Sequence, residues 1–209
     1  MYRNEPLERY LNDAAAGTST PGGGSMAALA GALATTMASM AANLTVGKEK
    51  FKQHDAQLKK VLEKCEKSRE TLLSLMEEDI KAYGEVVNAY RLPKSTGEEK
   101  IKRSEAIQNA AIVAMGVPLK TMMCCLSVSE RTRELVDIAN PNLISEVGVA
   151  CCLADAAFQS AKLNVETNLA AIRNQNLVSK VRNEINHAEK KAKLFFEETK
   201  ERVIERMMI

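Results

Sequence analysis

Residues 25–46 read SMAALAGALATTMASMAANLTV and directly follow the glycine run of PGGG at 21–24. The 22 residues carry no charge; eight of them are Ala and six are Ser, Thr or Asn. The length is enough to cross a bilayer, but a spanning helix is normally richer in Leu, Ile, Val and Phe. A helix that is uncharged on every side and built of small residues is one that other helices approach closely. The stretch therefore predicts the central helix of a bundle, with a membrane span as the alternative.

The rest of the chain has helical periodicity and no convincing strand. Pro93 is expected to end one very long helix, and Ser95 with Glu98 forms a capping-box signature for the next, in which Pro118 produces a kink or a restart. Asn142 is placed to cap a later helix. The predicted helices cover about 7–16, 25–47, 52–90, 95–139, 143–172 and 175–207. Together they predict one all-α domain over 1–209, a bundle of about five to seven helices around the uncharged one.

Composition excludes several classes of function. Net charge is +2 with mixed signs and aromatic residues make up 4% with no Trp, which argues against a nucleic-acid partner. Five cysteines, an odd number without a secretion signal, indicate a reduced, cytoplasmic protein. With two histidines and no C-x-x-C spacing, no metal site is expected. Because the apolar stripes are wide enough for more than one neighbour, a homodimer is expected.

Asp79 is the carboxylate with the most informative position. An acid in the seam of a packed helix is partly desolvated, and its pKa rises toward the range useful for acid–base catalysis. An equally good seam through Leu73, Ile80 and Val87 leaves Asp79 on its flank. The row that includes Asp79 is spaced by four and three residues: Leu72, Met76, Asp79, Tyr83, Val86 and Tyr90.

Other polar residues have both a functional and a structural interpretation. The glycines at 22–24 let backbone N–H groups approach an anion, or simply allow close packing at a helix start. Asn164 and Asn168 lie one turn apart, where their amides would hold a polar ligand or bond another helix. Glu146 is a second candidate acid, or a residue that favours the positive end of a helix dipole.

Five segments, taken together, resemble the cyclodeaminase-type folate family. This family comprises the cyclodeaminase half of formiminotransferase-cyclodeaminase and the related stand-alone methenyltetrahydrofolate cyclohydrolases. The segments occur in the family's order over nearly the whole chain: TPGGGSMAALAGALATTMASMAANLTVGKEKF, DIKAYGEVVNAYRLPKSTGEEKIKRSEAIQNAA, VPL, NPNLISEVGVA and NVETNLAAI. The resemblance implies an all-helical dimer with its site where the glycine loop meets neighbouring helices. It implies that Asp79, which opens DIKAY, is the acid–base residue, and that Gly22, Gly23, Gly24 and Ser25 form the loop.

Other family positions are matched less closely. Asn140 and Asn142 match a Gly-Asn-x-Asn stretch in which Ala139 here replaces the glycine. The family's Ser-Asp is Ser145-Glu146, so the carboxylate is one methylene longer, and Glu146 is the candidate second carboxylate beside Asp79.

The resemblance also implies a reaction. A tetrahydrofolate derivative is the substrate, and no metal, nucleotide or redox cofactor is needed. Lys48, Lys94 or Arg103 would meet the anionic glutamate tail, with the glycine loop as an alternative place for a carboxylate. Cyclohydrolase and cyclodeaminase activity both remain open, as does a helical binding or scaffold protein that has lost the chemistry.

Overall fold

The computed structural model describes residues 1–208, and within them it contains six α-helices and no strand. The predicted all-α bundle is therefore confirmed. Three short 3₁₀ segments lie at Tyr2–Asn4, Glu49–His54 and Pro141–Leu143. The helices are α1 (Leu7–Ala15), α2 (Gly23–Asn43), α3 (Asp55–Arg91), α4 (Gly97–Ile138), α5 (Ile144–Leu169) and α6 (Gln175–Met207).

The uncharged stretch forms α2, which packs against α3, α4 and α5. Twelve of its 21 residues are buried, and every one of them is Gly, Ala, Ser or Thr. Small side chains let the neighbouring helices come close: a Cβ on Gly31 would stand 2.9 Å from Cys125 Sγ and 3.1 Å from Leu72. The composition of residues 25–46 is thus explained by close helix packing.

One side of α2 is not covered by the other helices of the chain, although the sequence predicted a central helix. Met26, Leu33 and Met40 are 38–47% exposed and lie seven residues apart, on one stripe of the helix. The neighbouring α5 continues this surface: its exposed positions are all uncharged, namely Ser145, Val149, Cys152, Ala156, Leu163 and Thr167. The two helices run antiparallel, because Gly23 approaches Asn164 at one end and Thr45 bonds Asn140 at the other. We call this surface the α2–α5 face.

Three segments, Gly23–Asn43, Gly97–Ile138 and Pro141–Leu169, are long and apolar enough to cross a membrane by length and composition alone. In each, between 39% and 61% of the most apolar window is buried against the rest of the chain. Helix–helix packing therefore accounts for much of their apolar surface.

Two predicted helix starts are displaced. The capping box of α4 uses Thr96, whose hydroxyl accepts from Glu99 N, rather than Ser95 with Glu98. Asn142 does not cap α5, because it lies inside the 3₁₀ segment Pro141–Leu143, and Leu143 takes the capping position without a side-chain bond. In both places the capping position lies one residue later than predicted, and the periodicity of the helix does not fix its boundary to a single residue.

Pro118 lies inside a continuous α4 and does not restart it. A proline has no N–H, so the carbonyl four residues earlier, that of Ala114, loses its partner in the helix. The side-chain amide of Asn168 on α5 donates to this oxygen at 2.9 Å. The irregularity in α4 is therefore compensated by a residue from another helix.

Candidate functional site

A pocket of about 250 Å³ lies at the end of the bundle where α2 begins. Among the described residues that line it there is one carboxylate and no Lys, Arg or His. The lining comes from the glycine loop and from α2, α3, α4 and α5: Ser19, Thr20, Gly22, Gly23, Gly24, Asp79, Tyr83, Val86, Ala114, Asn164, Thr167 and Asn168. Eight of these twelve positions are Gly, Ser, Thr or Asn, so polar groups converge there around a single acid.

Asp79 is partly buried at the wall of this pocket. Its Oδ2 accepts the backbone N–H of Ser25, in the first turn of α2, at 2.9 Å. Burial raises the pKa of the Asp79 carboxyl, and the bond from Ser25 offsets part of that rise. At this end of α3 the row that contains Asp79 is the better buried of the two, because Leu72 is fully buried whereas Leu73, of the alternative row, is only half-buried.

Side chains of α3 and α5 lie close to the glycines of the loop. A Cβ on Gly24 would lie 2.1 Å from Asp79 Oδ1, and a Cβ on Gly23 would lie 3.1 Å from the Asn164 amide. A side chain at position 24 would displace the Asp79 carboxyl, and one at position 23 would press on the Asn164 amide. Because the Asp79 carboxylate already occupies the positive end of α2, the loop is poorly suited to a second anion. This argues against the glycine loop as the place for a carboxylate of the substrate.

Ser25 connects the loop to a second layer of residues. Its hydroxyl donates to Met76 O at 2.9 Å and lies 3.0 Å from the hydroxyl of Tyr10. Tyr10 is 2% exposed and is the buried residue of α1. Sequence reasoning missed Tyr10. An isolated aromatic residue in a short polar helix was the available signal, but nothing in the sequence connects it to Ser25.

Asn164 and Asn168 both line the pocket, as the sequence suggested. The amide nitrogen of Asn164 donates to Ser160 O at 2.8 Å, and that of Asn168 donates to Ala114 O. The structural interpretation, bonding to another helix, is therefore true of Asn168. It does not exclude a ligand, since no residue among 1–208 donates to either side-chain oxygen.

Glu146 does not stand beside Asp79 within one protomer, which corrects the sequence-based expectation. It lies at the start of α5, and the pocket residue Asn164 is eighteen residues further along, about 27 Å away. Its carboxylate instead accepts from the Ser145 hydroxyl at 2.6 Å. Burial, and not a second carboxylate, raises the pKa of Asp79.

Three further predicted residues share this distant end of the bundle. Asn140 donates from its backbone to Thr45 Oγ1, just past the end of α2, and its side chain accepts from Asn142 N. Lys48 follows three residues after Thr45 and is exposed. We call Lys48, Asn140, Asn142 and Glu146 the distal cluster.

Lys94 and Arg103 lie outside the pocket, at the turn between α3 and α4. The Arg103 guanidinium donates to Tyr90 O at 3.1 and 3.2 Å and stacks 5.5 Å from the Tyr90 ring centre. Arg91, the last residue of α3, is twelve residues past Asp79, about 18 Å along the helix. A cation at this turn would therefore meet only a distant part of a ligand bound at Asp79.

The other features of the structure are less suited to a polar ligand or a metal. A groove of about 440 Å³ between α3 and α4 is larger, but small apolar side chains such as Ala89, Ala106 and Ala110 form much of its lining. Among residues 1–208, no three His, Cys, Asp or Glu side chains cluster as a metal site requires. The Asp79 pocket is therefore the candidate site, because polar groups and a carboxyl of raised pKa converge there.

Comparison with known proteins finds relatives that agree with one another. Residues 6–187 match the family model described as formiminotransferase-cyclodeaminase. A methenyltetrahydrofolate cyclohydrolase from Methylorubrum extorquens is 42% identical over 168 residues, which cover 80% of this chain and 81% of the relative. The formimidoyltransferase-cyclodeaminase of Rattus norvegicus is 29% identical over 90% of this chain, which spans only 35% of that protein's length. The crystal structure of formiminotetrahydrofolate cyclodeaminase from Thermotoga maritima has a TM-score of 0.88 and 26% identity, covering 97% of this chain and 98% of that one.

Proposed function

The chain belongs to the formiminotransferase-cyclodeaminase family, and from this premise we propose that it hydrolyses 5,10-methenyltetrahydrofolate to 10-formyltetrahydrofolate. It is a folate one-carbon enzyme of the cyclohydrolase and cyclodeaminase type. The choice of cyclohydrolase is supported by the M. extorquens relative, which is similar in length and 42% identical. The observation that carries the proposal is a carboxyl of raised pKa in a pocket whose described lining residues include no other acid and no Lys, Arg or His.

The electrostatics of the pocket suit the proposed substrate. The methenyl group is a cation shared between N5 and N10 of tetrahydrofolate. A pocket lined by Asp79 and amide oxygens, with no Lys or Arg among the described lining residues, favours a cation over an anion. The ionised form of Asp79 and the methenyl cation carry opposite charges, which attract in a partly desolvated site.

Asp79 serves as base and then as acid. Water attacks the methenyl carbon, a C–O bond forms, and Asp79 takes one proton from that water. In the tetrahedral adduct the bond from carbon to N5 breaks, and Asp79 returns this proton to N5. The remaining hydroxyl proton leaves to solvent as the formyl carbonyl forms on N10. The sequence consumes one water, releases one proton and leaves Asp79 ionised, so no redox or nucleotide cofactor is required.

Cyclodeamination is the second candidate, because the T. maritima structure that superposes over 97% of the chain is a formiminotetrahydrofolate cyclodeaminase. In that reaction N10 attacks the formimino carbon, and ammonia leaves after it gains a proton. The same carboxyl would serve as base and acid.

Near-ultraviolet absorbance of the methenyl chromophore distinguishes these functions. Purified protein is incubated once with methenyltetrahydrofolate and once with 5-formiminotetrahydrofolate, each against a protein-free control. We expect faster decay of the chromophore in the first incubation. Faster appearance in the second alone would replace the proposal with cyclodeamination. No acceleration in either would overturn the enzyme function and favour a binding or scaffold protein.

We also propose that the chain forms a homodimer through the α2–α5 face. Every exposed position of α5 is uncharged and α2 has no charged residue, so this surface is the natural place for a partner. Two adjacent helices of 21 residues or more present roughly 30 by 20 Å, about 600 Å² per protomer, close to the ~800 Å² of a standard interface. The same face on a second copy of the chain matches this surface in size and in its lack of charge.

A two-fold axis perpendicular to α2 would give the distal cluster a place in the site of the partner protomer. In that arrangement the start of α2 in one protomer lies beside the end of α2 in the other. The distal cluster of one chain then faces the Asp79 pocket of its partner. Glu146 would thereby supply the second carboxylate that a single protomer does not place near Asp79.

Replacing Leu33 by Lys at the centre of the α2–α5 face should convert a dimer of about twice 22.9 kDa into a monomer. The reason is that a buried, unpaired charge costs several kcal/mol at an interface. Sedimentation equilibrium measures the mass, and Leu194→Lys, at a 50% exposed position on α6, is the control. A wild-type monomer, or a variant that stays dimeric, would contradict the proposed interface.

Mixing variants tests the shared site. If Asp79→Asn and Glu146→Gln each inactivate, heterodimers formed by mixing them contain one intact site, and about a quarter of wild-type activity should return at equal amounts. Failure to recover activity while heterodimers form would contradict the contribution of Glu146 in trans.

A further inference from the structure

Two side-chain amides face the Asp79 pocket with their orientation already fixed. Asn164 Nδ2 lies 2.8 Å from Ser160 O, a carbonyl that only accepts hydrogen bonds. The amide group of Asn164 must therefore point its NH₂ at this carbonyl and its Oδ1 the other way. Gly23 stands against the same amide, where a Cβ would lie 3.1 Å from Nδ2 and 3.2 Å from Oδ1.

The orientation of the Asn168 amide is fixed by an unpaired carbonyl on α4. The carbonyl of Ala114 has lost its helical partner because Pro118 carries no N–H. Asn168 Nδ2 fills that vacancy at 2.9 Å, which is the one assignment that satisfies a buried acceptor. Pro118 in α4 thus positions a side chain on α5, and Asn168 Oδ1 remains as an acceptor.

The pocket consequently presents two amide oxygen acceptors, Asn164 Oδ1 and Asn168 Oδ1, beside the catalytic carboxylate of Asp79, and neither amide oxygen receives a bond from residues 1–208. Such a set binds a ligand edge that carries several N–H donors. In a tetrahydrofolate that edge is the 2-amino-4-oxopyrimidine part of the pterin, whereas the p-aminobenzoylglutamate end is rich in acceptors and anionic. The anionic end would be repelled by acceptor oxygens, so it fits this part of the pocket less well.

Resting on the proposed function, we infer that Asn164 and Asn168 recognise the N–H donor edge of the pterin, and so set specificity for the ring of the substrate. Pro118 is a positioning residue for this purpose. The inference assigns the pterin to the α5 side of the pocket, and it leaves the glutamate tail to extend toward the exposed mouth near Tyr83.

The test uses an analogue of the substrate in which a methyl group replaces the 2-amino group. Wild-type protein should prefer natural methenyltetrahydrofolate over its 2-desamino-2-methyl analogue by about 10- to 100-fold in kcat/KM, because buried acceptors are left unpaired by the analogue. Asn164→Leu should lower kcat/KM for the natural substrate by about tenfold and leave that for the analogue nearly unchanged. The preference should therefore fall toward unity.

Asn164→Leu is the more informative variant, since Ser160 O keeps its bond within α5, whereas Asn168→Leu also leaves Ala114 O unpaired. Asn183→Leu, at an exposed position of α6, is the matched control and should keep the full preference. If folded Asn164→Leu and Asn168→Leu proteins both retain the wild-type preference, the inference is overturned while the proposed function stands. If wild-type protein accelerates neither compound, the proposed function fails, and this inference fails with it.

Discussion

Replacing Asp79 by Asn should lower kcat for methenyltetrahydrofolate hydrolysis by about 10²- to 10⁴-fold, the range that proton transfer by a positioned side chain contributes. An amide has the shape of the carboxylate, and its oxygen can still accept the Ser25 N–H that Asp79 Oδ2 accepts at 2.9 Å. It takes no proton from the attacking water. The decay of the methenyl absorbance measures the loss.

The fold should survive this change. Asp79 is a partly desolvated acid that makes one backbone hydrogen bond, so a neutral amide removes a cost of burial and keeps the bond. Thermal melting should therefore occur at the wild-type temperature or above it. Asp155→Asn on α5, where the acid is also partly buried, is the matched control and should keep its activity. An Asp79→Asn protein with more than about a third of wild-type turnover would show that another group moves the proton.

Replacing Gly24 by Ala should abolish activity to a similar degree and also destabilise the fold, by about 1–3 kcal/mol. The added Cβ would lie 2.1 Å from Oδ1, 2.6 Å from the carboxyl carbon and 2.9 Å from Oδ2 of Asp79. Either the carboxyl group turns away or the start of α2 shifts, and both break the bond from Ser25. A displacement of about 1 Å in an acid–base group costs on the order of 10²-fold in rate.

Gly84→Ala is the control for this prediction, because Gly84 lies on the same helix as Asp79 and a Cβ there meets nothing within 4 Å. It should leave activity unchanged and stabilise α3 by up to about 1 kcal/mol. The double variant Gly24→Ala with Asp79→Ala removes the clash, so chemical denaturation should show less than the sum of the two single losses. Strict additivity would mean that the two residues do not meet as described.

The helices and the main acid were accessible from sequence for a physical reason. Long stretches of helical periodicity and an uncharged, Ala-rich segment have few alternative folds, and α3 ended at Arg91 close to the predicted position before Pro93. The importance of Asp79 came mostly from the family resemblance, since two seams fitted the periodicity of α3 equally well. The full burial of Leu72, against the half-burial of Leu73, favours the seam that contains Asp79.

What sequence did not reveal depends on distance in three dimensions. Glu146 matched a family motif, but Asp79 lies beside Asn164 at the other end of α5, about 27 Å away, and no sequence pattern says which end of α5 meets Asp79. The link from Tyr10 to Ser25 and the link from Pro118 through Ala114 to Asn168 each join helices that are far apart in the chain. The exposure of Met26, Leu33 and Met40 likewise appears only when the other helices are in place.

The central claim is that a carboxyl group with a raised pKa, that of Asp79, performs the proton transfer. The most direct measurement is the pH dependence of kcat/KM for methenyltetrahydrofolate, corrected for the protein-free rate. Because the ionised form is the base and burial raises its pKa, kcat/KM should fall as pH decreases through an inflection above the ~3.9 of an unperturbed Asp. The inflection should vanish in Asp79→Asn. A profile without such an inflection, or one that Asp79→Asn retains, would contradict the assignment of Asp79 as the acid–base group.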